Sequence, residues 1–314
     1  MESISIIMPA RNAEKTVRES MISVLRDPLV TQLVVVDDIS TDNTRDIVQG
    51  IEDERISLVF GSGKGIAAAF NRGLEASTGD FIARCDADDL YAEGRLGWQL
   101  SWLRDNSDYV AVSAGYQTFT DGNKKLSEFA TEGVGHEITD PLLRGEGIIN
   151  HMCAWLIRTG ALRRIGGART WFETSEDADL VFRLASCGKI WHEPRVAYLY
   201  RIHDASITHS QSNSRRRFYN AMAMEFAKQR ISSGSDELEQ GCPPEIPPDV
   251  NEHPLSTKQH ITDQLVGEAW KQYSQSNRGL ALKKMMAAIV RQPLKASLWK
   301  GFFVMMVKSS GLAP

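Results

Sequence analysis

The chain is short of several things that would mark a specialised class. There is no basic surplus: 36 Lys+Arg stand against 40 Asp+Glu, a net charge of -4. Proteins built to wrap nucleic acid carry a basic excess, so nucleic acid is excluded as the main partner. The run Arg215-Arg216-Arg217 reads instead as a solvated helix face. Cysteine is scarce. Cys85, Cys153, Cys187 and Cys242 lie far apart with no C-x-x-C pair, which argues against a disulfide framework or a structural zinc site. Long apolar runs are missing too: the nearest candidate, 298–307 (LWKGFFVMMV), falls short of the ~18 residues a membrane span needs. The opening MESISIIMPARN has no basic n-region, so no secretory signal is expected. These absences predict a soluble cytoplasmic protein, or one peripheral on the inner face of the cytoplasmic membrane.

What is present is an alternation of strand-like and helix-like segments over the first 110 residues. Runs at 4–8, 33–36, 55–60 and 81–83 read as strands, the second a continuous Leu-Val-Val-Val of the kind buried on both faces. Between them, 14–25, 42–51 and 66–76 carry helical spacing. Strand and helix in turn predict an α/β fold with a doubly wound, mostly parallel sheet, whose ligands sit at the carboxyl ends of the strands. Further on come a strand at 110–119, a turn at Asp121-Gly122 and a helix at 176–187. The stretch 232–254 holds five prolines, four of them at 243, 244, 247 and 248, and reads as a loop or linker. Two helices are expected over 256–287, joined near Ser276-Asn277, and an amphipathic piece over 294–308.

Polar clusters fall where such a sheet would use them. Arg84-Cys85-Asp86-Ala87-Asp88-Asp89 directly follows a strand, and its crowded carboxylates are costly unless a hard divalent cation such as Mg²⁺ or Mn²⁺ is bound. Asp37 and Asp38 end another strand, where a carboxylate can accept from a nucleobase N–H; Ser40 to Asp42 also suit helix capping. Gly61-Ser62-Gly63-Lys64-Gly65 precedes a helix but lacks the P-loop pattern, which disfavours a P-loop NTPase. Glu176-Asp177-Ala178-Asp179 opens a helix, where acidic residues suit the macrodipole, and Tyr200-Arg201-Ile202-His203 ends a strand-like run in an imidazole.

In order and spacing, SIIMPARNAE, VVVDDISTDNT, GIAAAFNRGLEASTGDFIARCDADD, ETSEDADLVFRLASCG and YRIHDAS resemble the family 2 glycosyltransferases, which have a Rossmann-like GT-A fold. The resemblance covers roughly residues 3–210. It implies a catalytic domain at 1–210, with a nucleotide-binding half (1–110) and an acceptor-binding half (111–210). A helix and Pro/Gly-rich linker (211–254) and a C-terminal helical extension (255–314) follow. It implies that Pro9, Ala10, Arg11 and Asn12 line the donor nucleotide, Arg11 standing where many members place a stacking aromatic. Asp38 would bond the uracil with Asp37 in support, and Gly65, Asn71, Arg72, Asp86 and Ala87 would be further donor contacts. Asp86 and Asp88 would form the metal motif with Mn²⁺ or Mg²⁺, joined by His203. Asp177 would be the general base and Glu176 its neighbour. One departure is Phe70, where many members carry Arg.

The implied activity is inverting transfer from a nucleotide-sugar, UDP-linked by expectation, to a glycan or lipid-linked acceptor in surface polysaccharide synthesis. Two rivals share features of the pattern. A sugar nucleotidyltransferase would need a glycine- and arginine-rich loop after the first strand; a silent nucleotide-sugar-binding module would have no need of Asp86, Asp88 and Asp177 together. An Asp-nucleophile phosphatase is disfavoured because the first strand ends in Met8-Pro9-Ala10. The C-terminal helices could pack on the catalytic domain, pair two subunits or lie on a membrane surface, and acceptor choice is expected in the loop 131–149 and in those helices.

Overall fold

The computed structural model describes residues 2–120, 124–129, 133–146, 151–203, 213–248 and 256–307. The expected turn at Asp121-Gly122 and parts of the loop 131–149 lie outside the described residues, as does the chain after His203 up to 212.

The apolar run at the start of the chain becomes β1 (Ile4–Ala10), buried along its whole length. It pairs in parallel with β2 (Val30–Asp37) on one side and β4 (Phe81–Arg84) on the other, and β2 pairs in parallel with β3 (Ile56–Phe60). The strand order β3-β2-β1-β4 reverses direction at β1, so the loops after β1, β2 and β4 open into one crevice at the carboxyl ends. Helices α1 (Val17–Leu25), α2 (Thr44–Gln49) and α3 (Ile66–Ala76) make the crossovers. α3 lies so close to β1 that a Cβ on Gly73 would sit 2.4 Å from Ile7 Cγ2, a place where only glycine fits.

Beyond β4 the sheet continues as β9 (Leu156–Arg158), β6 (Tyr109–Thr120), β10 (Lys189–Arg201) and β5 (Leu90–Tyr91), with β9 antiparallel to its neighbours. Short strands β7 (Lys124–Phe129) and β8 (His136–Glu137) pair with β6 and β10. Helices α4 (Arg95–Asp105), α5 (Thr139–Leu143), α6 (Thr159–Arg164), α7 (Glu176–Leu184) and α8 (Asn213–Ser233) complete this part. The architecture is a parallel half extended by an antiparallel half.

Two helices are shorter than the spacing suggests, for local reasons. α2 begins at Thr44, two residues after Asp42, because the Asp42 carboxylate accepts the Thr44 N–H at 3.0 Å and terminates the turn from outside. The helix expected over 176–187 stops at Leu184 and tightens into a 3₁₀ turn, Ala185–Cys187.

The chain forms two compact units: residues 1–116, 129–200 and 214–249 in the first, 117–128, 201–213 and 250–314 in the second. The Pro-rich stretch expected as a linker is, through residue 248, a packed loop of the first unit. Asp236 is fully buried there, taking Arg169 Nη1 at 2.8 Å and Arg230, while Leu238 and Ile246 pack on the core. The second unit gathers the 117–128 hairpin with α9 (Thr257–Ser274), α10 (Arg278–Arg291) and α11 (Ala296–Val307). Thr118 Oγ1 donates to Gln264 at 2.6 Å, and Lys284 Nζ to the Leu126 carbonyl at 2.6 Å. No helix among the described residues is long and apolar enough to cross a membrane.

Candidate active site

Two loops at the crevice are laced together before any ligand arrives. Asn12, at φ +50°, donates its N–H to Ser40 Oγ at 3.0 Å and accepts the Thr41 N–H at 2.8 Å. Ala13 N–H meets Thr44 Oγ1 at 2.7 Å, and Glu14 accepts the Asn43 N–H at 3.1 Å. Pro9 and Ala10 are buried beneath this lacing, and Arg11 is exposed above it. Asp37 is buried and bonded by Arg45 Nη2 at 2.7 Å. Burial alone would raise its carboxyl; bonds from Ser40 and Arg45 hold it below the usual range. Asp38 accepts the Gly63 N–H at 2.7 Å through Oδ1, and Oδ2 accepts no hydrogen bond among the described residues.

The acidic run after β4 is organised by a residue the motif reading passed over. Arg84 is buried at the strand's last position. Its Nε donates to Asp86 Oδ1 at 2.7 Å and its Nη2 to Oδ2 at 3.2 Å, while Nη1 reaches Glu176 Oε1 at 3.0 Å. One guanidinium thus ties together two motifs ninety positions apart. Tyr198 of β10 adds a strut, accepting the Asp86 N–H at 3.0 Å and donating to the buried Asp89 at 2.7 Å. Ser20 holds the Ala87 carbonyl at 2.9 Å.

The charges here are uneven. Burial would raise Asp86, but Arg84, then His151, hold it below the usual carboxylate range. Burial raises Glu176 and Asp177, with Arg84 only partly opposing it. Asp177 Oδ1 accepts the Ala178 N–H at 2.9 Å in the first turn of α7. Ser175 just before it has φ +60°, an uncommon backbone for a residue with a side chain. α7 is braced from behind, where Asp179, fully buried, takes Arg169 Nε and Arg183 Nε at 2.9 Å each.

His151 is the second residue that the sequence did not single out. It stands before the 3₁₀ turn Met152–Ala154, which fully buried Arg95 and Gln99 of α4 hold through carbonyl oxygens, among them Gln99 Nε2 to Ala154 at 2.9 Å. Its ring stacks on Tyr198, centroids 5.2 Å apart, and its Nδ1 is buried with no hydrogen-bond partner among the described residues. Donor atoms of Asp86, His151 and Cys153 lie within 4.8 Å of one another. Burial pulls the imidazole below its usual value; Asp86 and, more weakly, Asp88 oppose this.

A family model described as "Glycosyl transferase family 2" matches residues 5–166, just over half of the chain. The chain belongs to glycosyltransferase family 2. Among its relatives, EpsE of Bacillus subtilis is 31% identical over 212 residues, 65% of this chain and 73% of that one. The Escherichia coli UDP-Glc:alpha-D-GlcNAc-diphosphoundecaprenol beta-1,3-glucosyltransferase WfgD is 42% identical over 128 residues, 40% of this chain. That match spans only 50% of WfgD's own length. Among solved structures, Staphylococcus aureus TarS 1–349 in complex with UDP superposes with a TM-score of 0.59 at 14% identity, covering 96% of this chain and 90% of that one. The mannosyltransferase PcManGT of Pyrobaculum calidifontis, in complex with GDP-Man and Mn²⁺, gives 0.54 at 19% identity, over 98% and 81%. These likenesses bear on the fold. The enzyme is a glycosyltransferase of GT-A architecture.

The fold brings Asp86, Asp88, Glu176 and Asp177 into one charged neighbourhood, each acting on the Arg84–His151 group. Asp37, Asp38 and Asn12 gather at the separate loop junction described above. Asn71 and Arg72 are engaged elsewhere. Asn71 uses its amide twice on Ala168, at 2.7 and 2.8 Å, and Arg72 pairs with Glu75 at 3.1 Å on the surface of α3. Gly65 caps α3 at φ +89°. His203 belongs to the second unit. A buried arginine closing an otherwise apolar strand (FIAR) was a legible signal for Arg84. His151 had none, since nothing in IINHMCAW is periodic.

Proposed function

We propose that this glycosyltransferase moves a sugar from a UDP-sugar, with inversion, to a lipid-linked glycan acceptor at the inner face of the cytoplasmic membrane. The observation that carries the reading is the Arg84 bridge, which joins the Asp86 carboxylate to the helix turn bearing Glu176 and Asp177. That arrangement supports a base at Asp177 acting beside a diphosphate leaving near Asp86. Supporting the donor, TarS is described with UDP, and supporting the acceptor, WfgD is named for a diphosphoundecaprenol substrate.

In this reading Asp177 takes the proton of the acceptor hydroxyl as its oxygen attacks the anomeric carbon. Its raised affinity for protons makes it a stronger base than a solvated aspartate. Glu176, held by Arg84, orients the acceptor. Asp38 Oδ2 accepts from the uracil, and Pro9, Ala10, Arg11 and Asn12 form the wall around it. Asp86 and Asp88 would offer oxygens for Mn²⁺ or Mg²⁺, and the unpartnered Nδ1 of His151, close to Asp86 and Cys153, supports a cation there. A metal so held would act as a Lewis acid toward the leaving diphosphate. Nitrogen among the donors favours Mn²⁺ over Mg²⁺.

The test is UDP release from UDP-, GDP- and dTDP-sugars with Mn²⁺, with Mg²⁺ and with chelator. Release is expected from a UDP-sugar, with Mn²⁺ best, and His151→Ala should narrow the gap between the two metals. If the enzyme neither binds UDP nor releases it under any condition, the donor assignment is lost.

A further inference from the structure

Large exposed apolar side chains are concentrated in one stretch of the second unit. α11 packs its inner side through Leu298, Gly301 and Met305, all buried. Gly301 lets it approach closely, since a Cβ there would lie 3.1 Å from the Met285 methyl of α10. Trp299, Phe303 and Val307 recur every four residues on the other side and are exposed, Val307 to 81%. The run continues onto the α10–α11 junction, where Val290 is exposed and Leu294 is 98% exposed. A helix with both sides apolar and only one covered is poorly suited to water.

The charge of the same stretch is one-sided. Arg278, Lys283, Lys284, Arg291, Lys295 and Lys300 are its charged residues, and no acid occurs between 278 and 307, in a chain whose net charge is -4. Lys283 and Lys300 are exposed; Lys295 lies 3.6 Å from Asp263, and Lys284 is engaged with the Leu126 carbonyl. Aromatic and aliphatic side chains rimmed by cations match the two layers of an anionic bilayer surface, acyl boundary and phosphate headgroups.

We infer that the α10–α11 face is a docking surface for anionic phospholipid, which would hold the enzyme on the membrane. The inference goes beyond the transfer reaction and is read without turnover, so it stands or falls separately from the donor and acceptor assignments. The full-length chain is floated with phosphatidylcholine vesicles and with vesicles that also contain phosphatidylglycerol. Retention is expected on the second, with release as salt rises. The variant Leu294→Ser/Phe303→Ser/Val307→Ser should lose it at every salt concentration. Lys300→Glu should weaken it by about fivefold or more at low salt. Thermal unfolding of both variants, unchanged from wild type, checks that the exposed substitutions left the fold intact. No retention on either vesicle would overturn the inference. So would equal retention of the triple-serine variant, or a dimer in sedimentation that the serines dissolve without any vesicle binding.

Discussion

The two ends of the crevice are built on opposite principles. At the loops after β1 and β2 most polar groups are already answered: Asn12 bonds Ser40 and Thr41, Thr44 takes the Ala13 N–H, Glu14 takes the Asn43 N–H, and Arg45, itself 45% exposed, neutralises Asp37. At the acidic cluster one buried guanidinium serves Asp86 and Glu176, burial makes the Asp177 carboxylate more basic, and His151 Nδ1 is unanswered among the described residues. The first region is pre-organised to receive a ligand with little rearrangement, which lowers the entropic cost of binding. The second keeps charges under tension for chemistry, where groups of shifted pKa gather. Substitutions should therefore sort into affinity effects and rate effects by region.

The sharpest way to break that division is Asp177→Asn. It should reduce turnover about a hundred- to ten-thousand-fold, the range for a lost general base, while UDP affinity by calorimetry stays within a factor of about three. Comparable loss of both would merge the regions into one.

Arg84→Gln comes next. Removing one partner of a buried pair costs about 3–5 kcal/mol, because Asp86 and Glu176 are left charged and unpaired. Thermal unfolding should show the drop, and the deficit should shrink as pH falls, since Glu176 can then take up a proton and bury itself neutral. The rate profile carries a second sign. Arg84 lowers the Asp177 carboxyl, so without it that group should hold its proton to higher pH. The acid limb of kcat/KM, already above the ordinary aspartate position, should move further up in the variant. A limb that stays put would detach Arg84 from the base.

At the nucleotide end the expected effect is smaller and of the other kind. Asp38→Asn keeps an oxygen for the Gly63 N–H but replaces the carboxylate that would accept from the base. UDP binding should weaken by about tenfold, the worth of one hydrogen bond to a charged acceptor, with kcat nearly unchanged. A fall in kcat at full saturation would mean the two regions share a task.

The parallel half was legible in the sequence because its signals are local. The run Leu33 to Val36 can only be a doubly covered strand, and β1, β2, β4 and α3 lie where pattern and punctuation put them. The antiparallel half was legible only in part: β6 and α7 lie where the pattern put them, but the shorter elements gave no local signal. β9 is three residues long and is defined by its neighbours β4 and β6, and Met152–Ala154 is shaped by Arg95 and Gln99 more than fifty positions away. The site followed the same rule. Asp86 and Asp177 sit in recognisable local motifs, whereas Arg84 acquires its role only when α7 returns to the strand end, and His151 only when Tyr198 stacks on it. Asp236 shows the reverse: a proline-rich composition suggested a loop or linker, and Arg230 nearby together with Arg169, 67 positions away, holds that carboxylate buried in the first unit.

Arg72 offers the finest test of the comparison, because motif and structure give it different work. By resemblance it contacts the donor; in the fold it stands on the surface of α3, three residues from Glu75, with both side chains more than half exposed. An exposed pair at that spacing contributes at most about 0.5 kcal/mol, since water and salt screen it and two long side chains must be ordered. Arg72→Ala should therefore leave the unfolding midpoint nearly where it was, and UDP affinity too. A tenfold loss of affinity with unchanged stability would show the guanidinium leaving Glu75 for the diphosphate. The nucleotide end would then contain one contact that forms only on binding, and its pre-organisation would be incomplete at α3.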